Sequence, residues 1–132
     1  MFQTFNLIPY LTVFENVAIA ERLSGKDTID ENKILKMLDR MKLSDRLEHL
    51  PRELSVGQQQ RVAMARALIK EPILILADEP TGNLDPKAAA GILDILKEIN
   101  SEGKTVVLIT HDPHTASIAK RNIHIEEGQV IS

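Results

Sequence analysis

The 132-residue chain has no cysteine, which excludes disulfides, thiolate metal sites and a cysteine nucleophile. It has no tryptophan, and aromatic residues make up only 3% of it. No apolar run approaches the roughly 20 residues that a membrane-spanning helix needs. The N-terminal Met1-Phe2-Gln3-Thr4-Phe5 has neither a basic region nor a long apolar core, so it does not read as a signal peptide. Positive charge is not in excess: 16 basic against 19 acidic residues give a net charge of -3. That balance offers no general attraction to nucleic acid or anionic lipid. What is present is ordinary globular usage, 43% hydrophobic and 27% charged, enough for one domain with one core. These features predict a soluble intracellular domain that can still dock on a membrane protein.

There is no internal repeat, but the two halves read differently. From Thr12 to Lys70 the pattern is helical. Thr28 and Glu31 have capping-box spacing, followed by Ile34, Leu38 and Met41 at helical intervals, and Pro51 closes that region. Ser55 and Gln58 have the same spacing and open a helix with Val62, Ala65 and Ile69 on its apolar face, stopped at Glu71-Pro72. From Ile73 the character changes. Ile73-Leu74-Ile75-Leu76-Ala77 and Thr105-Val106-Val107-Leu108-Ile109 are unbroken apolar runs, as expected of strands buried on both faces. Asp85-Pro86 and Asp112-Pro113 each look like an N-cap with proline at the first helical position. Ile92, Ile95, Leu96 and Ile99 stripe the helix between the strands, and Glu102-Gly103 ends it. Ile123 and Ile125 alternate as a third strand that turns at Glu127-Gly128. Strand, helix, strand, helix, strand predicts an α/β core with a parallel sheet, preceded by a helical subdomain. The predicted division is 11–70 for the helical part and 71–132 for the core.

Four constellations carry candidate chemistry. The first is the strand that ends in two adjacent carboxylates, Asp78 and Glu79. Ligands of open α/β sheets bind at the carboxyl ends of strands. Two acids allow one to hold Mg²⁺ and the other to orient and deprotonate water. A strand running into a polar turn explains the pair equally well. The second is Leu54-Ser55-Val56-Gly57-Gln58, where a hydroxyl residue and a glycine at a helix start make an anion site. An ordinary N-cap with a polar first turn is the plainer explanation. The third is His111, which closes the second strand on the same edge as the acids, where it could contact a terminal phosphate. A lone histidine is more often a surface residue, and His49, His114 and His124 are read that way. The fourth is Gln3, whose carbonyl could reach Mg²⁺. By itself it carries little.

Their joint order and spacing closely resemble the ATPase domain of ABC transporters. Leu54 to Leu68 is similar to the family's signature helix, Ile75-Leu76-Ala77-Asp78-Glu79-Pro80 to its Walker B strand, and Gly82-Asn83-Leu84-Asp85 to its D-loop. The resemblance implies a P-loop NTPase core, partial here, with an α-helical subdomain. It implies that two nucleotide-binding domains face each other head to tail, with ATP between the phosphate loop of one and the signature helix of the other. Ser55, Gly57 and Gln58 would then contact the γ-phosphate held by the partner. Asp78 would bind Mg²⁺, Glu79 would be the general base, His111 would clamp the γ-phosphate, Gln3 would complete the Mg²⁺ and water shell, and Asp85 would communicate across the dimer. The segment after Gln3, through Thr12 to about Leu23, would receive the permease, which places the protein on the inner face of the cell membrane.

Phe2-Gln3, Asn6-Leu7-Ile8-Pro9, Leu11-Thr12-Val13 and Glu15-Asn16-Val17, with Glu79-Pro80-Thr81-Gly82, look like the bacterial lipoprotein-release, macrolide-export and antimicrobial-peptide-resistance group. That implies export or extraction of a membrane-associated substrate through a separate permease. Two departures stand out. Val56 occupies a position where the family usually has glycine, a costly change if the backbone there needs φ above zero. The six glycines, at positions 25, 57, 82, 91, 103 and 128, are too scattered to make Gly-x-x-x-x-Gly-Lys-[Ser/Thr]. The expectation is therefore a domain short of its N-terminal part, which binds ATP weakly or not at all alone and leaves apolar strand edges open. The alternative is a non-hydrolysing module that binds a permease or a full-length ATPase partner in trans. A chromosome-maintenance ATPase is excluded, because about 50 residues separate Gln3 from Ser55 with no sustained heptads.

Overall fold

A computed structural model describes residues 5–23, 25 and 28–131. Helices α1 (Val13–Arg22), α2 (Glu31–Arg40) and α3 (Val56–Leu68) come first, with a 3₁₀ turn at Pro51–Glu53 between α2 and α3. Strand β1 (Leu74–Asp78), helix α4 (Pro86–Ser101), strand β2 (Thr105–Ile109), the short helix α5 (Pro113–Ala116) and a hairpin of β3 (Ile125–Glu126) and β4 (Gln129–Val130) follow.

Local chemistry fixes the helix starts. Thr12 and Glu15 form a reciprocal capping box on α1, and Ser55 and Gln58 form the expected one on α3. Asp85 caps α4 and Asp112 caps α5, each with proline in the first turn, as the sequence predicts. The start of α2 differs from expectation. Asp30, not Thr28, is the cap, and its carboxylate accepts from the Lys33 amide at 3.0 Å. A carboxylate two residues nearer the apolar stripe does the work that the Thr28–Glu31 spacing suggested.

The main core lies among α1, α2 and α3. Val17, Ile34, Leu38, Met41, Leu43, Val62 and Ala65 are fully buried in it, and Ile99 of α4 joins them. Truncating one such leucine to alanine costs about 2–5 kcal/mol. Asn16 is buried as well. Its amide takes the Ile8 N–H at 2.8 Å and donates to the carbonyls of Ile8, Leu11 and Thr12, which pins the 8–12 loop to α1.

Strands β1 and β2 pair in parallel, from Leu74 opposite Thr105 to Asp78 opposite Ile109, with α4 as the crossover. Ile92, Leu93 and Leu96 of α4 pack on Ala77, Val106 and Leu108. Two expectations fail here. The strands are not buried on both faces: Leu76 is 68% and Ile109 52% exposed. Among the described residues α4 covers one face, so alternate side chains point outward. The third strand does not join the parallel sheet. Ile125–Glu126 pairs antiparallel with Gln129–Val130, around Glu127 and Gly128 at φ 48° and 78°. The turn itself falls at Glu127-Gly128 as expected, where two successive positive-φ residues make a tight hairpin, and its two-residue strands pair only with each other among the described residues.

Candidate functional site

Two loops leave the sheet at the same end because β1 and β2 are parallel and in register. Glu79 follows β1 directly. Its amide donates to the Ile109 carbonyl at 2.8 Å, which continues the ladder by one bond. Its backbone then turns into the left-handed region at φ 44°, a conformation that costs a non-glycine residue about 1–2 kcal/mol. The turn aims the carboxylate across at β2. Glu79 Oε1 accepts the His111 amide at 2.9 Å and meets His111 Nδ1 at 2.7 Å, and Oε2 accepts the Thr110 hydroxyl at 3.3 Å.

An ionised carboxylate can only accept, so Nδ1 carries the hydrogen of that contact. The hydrogen bond from the His111 ring is the largest influence and holds Glu79 below the usual carboxylate range; burial opposes it, and the His111 amide, the ring charge and the Thr110 hydroxyl add to it. The Glu79 hydrogen bond and charge raise His111 above the usual imidazole range. The ring is 90% exposed while the Glu79 side chain is 33% exposed, so the imidazole lies over the acid on the open side.

Asp78 ends β1 one residue earlier and faces elsewhere. It is exposed, and it lines a cavity of about 430 Å³ with Phe5, Asn6, Met64 and Pro80. The Phe5–Asn6 end of this cavity is tied down by Arg66 of α3, which donates to the Asn6 carbonyl at 2.6 Å and to the Phe5 carbonyl at 3.0 Å. Gln3 lies outside the described residues. No group of three or more acidic, histidine or cysteine side chains among the described residues could enclose a metal. Mg²⁺ does not need one, since it commonly takes one or two carboxylates and completes its shell with phosphate oxygens and water. An exposed Asp78 at a strand tip fits that use.

Ser55, Gly57 and Gln58 form a second station at the start of α3. Ser55 Oγ accepts from the Gln58 amide at 3.2 Å, and Gln58 Oε1 accepts from the Ser55 amide at 2.9 Å. The first-turn amides of Val56 and Gly57 have no preceding helical carbonyl to satisfy them. Val56 is the first helical residue, not a positive-φ position, and is 48% exposed, so valine is tolerated there. Gly57 is a packing position: a Cβ placed on it would sit 3.0 Å from the Ala88 Cβ of α4. Asp85, which caps α4 through the Ala88 amide, thus belongs to the same corner. The structure brings Glu79 and His111 into direct contact and Gly57 against the helix that Asp85 caps. The hydrogen bonds of Glu79 and His111 do not involve Ser55 or Gln58. Sequence reasoning missed Thr81 and Thr115, whose hydroxyls lie 3.2 Å apart between the two loops. Thr81 lies within the quoted Glu79-Pro80-Thr81-Gly82 motif and Thr115 in none, but no sequence pattern pairs the two before folding.

Residues 1–82 match the family described as ABC transporter. The chain belongs to the ABC transporter family. Over its whole length it is 46% identical to the macrolide export ATP-binding/permease protein MacB of Campylobacter jejuni, and covers 21% of that protein. It is 44% identical over 99% of its length to the cell division ATP-binding protein FtsE of Mycobacterium tuberculosis, and covers 58% of it. A solved dimeric ATP-binding cassette, MJ0796, in a post-hydrolysis state with ADP and Pi, superposes with a TM-score of 0.86 at 42% identity. The chain covers 59% of that cassette. This ABC chain thus spans about three fifths of the separate ATP-binding relatives it matches and about a fifth of the fused exporter. The fold likeness bears out the expected partial P-loop NTPase core, and the likeness to macrolide exporters bears out the subgroup resemblance. No helix among the described residues is long and apolar enough to cross a membrane.

Proposed function

We propose that this chain is part of the ATP-hydrolysing subunit of a bacterial ABC transporter, which powers export or extraction of a membrane-associated substrate through a separate permease. The observation that carries this reading is the contact of Glu79, at the tip of β1, with His111, at the tip of β2. Glu79 is the general base for the attacking water. Three donors hold it in the structure, which lowers its basicity, so it becomes an effective base as His111 turns from it to the γ-phosphate. Asp78, with Gln3, would hold Mg²⁺, which neutralises developing charge on the phosphate oxygens. Ser55, Gly57 and Gln58 present the start of α3 to a nucleotide held by a second nucleotide-binding domain, and Asp85 lies at that interface. The permease docks against the α1 side, on the inner face of the membrane. The ADP- and Pi-bound dimer of MJ0796 supports the nucleotide and dimer parts of this reading.

A second reading is a non-hydrolysing module that binds a permease or a full-length ATPase partner in trans, for which the exposed start of α3 at Ser55 and Val56 is the available surface. Phosphate release from Mg-ATP, measured on the chain mixed with an intact cassette of the family, separates the two. Hydrolysis by the proposed site predicts stimulation that Glu79→Gln reduces at least about a hundredfold, the order lost with a general base. Stimulation that Glu79→Gln leaves unchanged, or inhibition of the cassette, supports the trans module. No effect of the chain at any ratio overturns both.

A further inference from the structure

The loops after β1 and β2 are joined at a second place, away from Glu79 and His111. Thr115 of α5 is buried, at 1% exposure, and its hydroxyl donates to Asp112 Oδ2 at 2.6 Å. The amides of Thr115 and His114 also donate to the Asp112 carboxylate, at 2.9 and 3.2 Å. These bonds hold the acid below its usual range. An ionised Asp112 can only accept, so the single hydroxyl hydrogen of Thr115 is committed to it. The 3.2 Å contact between the Thr81 and Thr115 hydroxyls therefore has one sense: Thr81 donates and Thr115 accepts. The Asp112 amide in turn donates to Thr110 Oγ1 at 3.1 Å, and the Thr110 hydroxyl donates to Glu79. One directed network thus starts at Thr81, two residues past Glu79, passes through Thr115, Asp112 and Thr110, and returns to the Glu79 carboxylate.

We propose that Thr81 and Thr115 are positioning residues whose hydroxyl bridge locks the two loops into one unit and so holds His111 against Glu79. Thr81 lies in the turn closed by the Gly82 amide on the Glu79 carbonyl at 3.0 Å, on the path to Asp85. A shift of the chain near Asp85 is therefore passed to His111 through a buried hydroxyl instead of being absorbed by a loose turn. The value of this for hydrolysis rests on reading Glu79 and His111 as the hydrolytic pair. The locking itself does not.

Amide hydrogen exchange and ring ¹⁵N shifts of His111, read by NMR on the full chain without nucleotide, test the lock. Thr81→Val and Thr115→Val keep the branched shape and delete one hydroxyl each. Both should speed exchange of the His111 amide about tenfold or more and move the ring shifts toward those of the Glu79→Gln variant. Thr115→Ser keeps the hydroxyl and should stay within about twofold of the parent. Thr81 is only partly buried, so its valine variant remains informative if Thr115→Val fails to fold. A folded Thr81→Val chain with unchanged His111 exchange and shifts overturns the proposal. So does a Thr115→Ser chain that behaves like the valine variants. Because no ATP is involved, loss of the hydrolytic reading in the mixing assay would leave this result standing.

Discussion

At the scale of single residues, the chemistry rests on how one carboxylate is held. Glu79 has its pKa lowered in the folded chain and His111 has its own raised, each by the other. The Glu79 contribution to stability is present above the ordinary carboxylate pKa and is lost as pH falls through its depressed folded value. The His111 contribution is complete below the ordinary imidazole pKa and is lost as pH rises through its elevated folded value. The pair is therefore tightest in the mildly acidic window between the two ordinary values. Histidine NMR titration should place His111 above the usual imidazole range, and Glu79→Gln should return it toward that range. A titration unchanged by Glu79→Gln contradicts the pairing. Gly57 makes a different prediction. Gly57→Ala improves helix propensity but brings its new methyl against Ala88. The clash term, about 1–3 kcal/mol, should show as a coupling that Ala88→Gly removes in a double-mutant cycle of denaturant melts.

At the scale of elements, caps and punctuation were legible and tertiary partners were not. The Ser55–Gln58 box and the two Asp-Pro starts follow from which side chains can satisfy first-turn amides, so short sequence patterns announce them. The Thr28–Glu31 spacing misled because Asp30 competes for the same job two residues later. The apolar runs gave β1 and β2 within a residue, yet could not say what would cover them. Whether an outward Leu76 is buried depends on a neighbour that a strand's own sequence does not encode. In the site, Asp78, Glu79 and His111 were legible because acids and a histidine at strand ends are scarce and conspicuous. Thr81, Thr115, Asn16 and Arg66 were not, because their role lies in who meets them. Asn16 supplies the element-scale prediction. Asn16→Ala strands the Ile8 amide and the Leu11 carbonyl, while the Ile8 and Thr12 carbonyls keep their backbone donors, and should lower stability by about 1–3 kcal/mol in chemical melts, with amide exchange rising first at Ile8.

For the whole molecule, the dominant feature is the uncovered face of the two-stranded sheet. Leu74, Leu76, Val107 and Ile109 project from it, and among the described residues each strand pairs only with the other. Open apolar strands of this kind invite pairing with other chains. The chain should therefore show concentration-dependent association in light scattering, and Leu76→Lys with Val107→Lys should suppress it while melting within a few degrees of the parent. Association unaffected by the two lysines would point to another surface. The helical core would not share that vulnerability, since its apolar side chains are already enclosed among α1, α2 and α3.

The grip of Arg66 has a consequence for how this protein can drift. Its guanidinium reads two carbonyl oxygens, which every amino acid provides, and reads nothing of the side chains at positions 5 and 6. Asn6, at φ 49° in the left-handed region, is held to residues that tolerate that backbone, but position 5 is free to vary without releasing this grip. The arginine is not: lysine has one nitrogen where the task needs a fork.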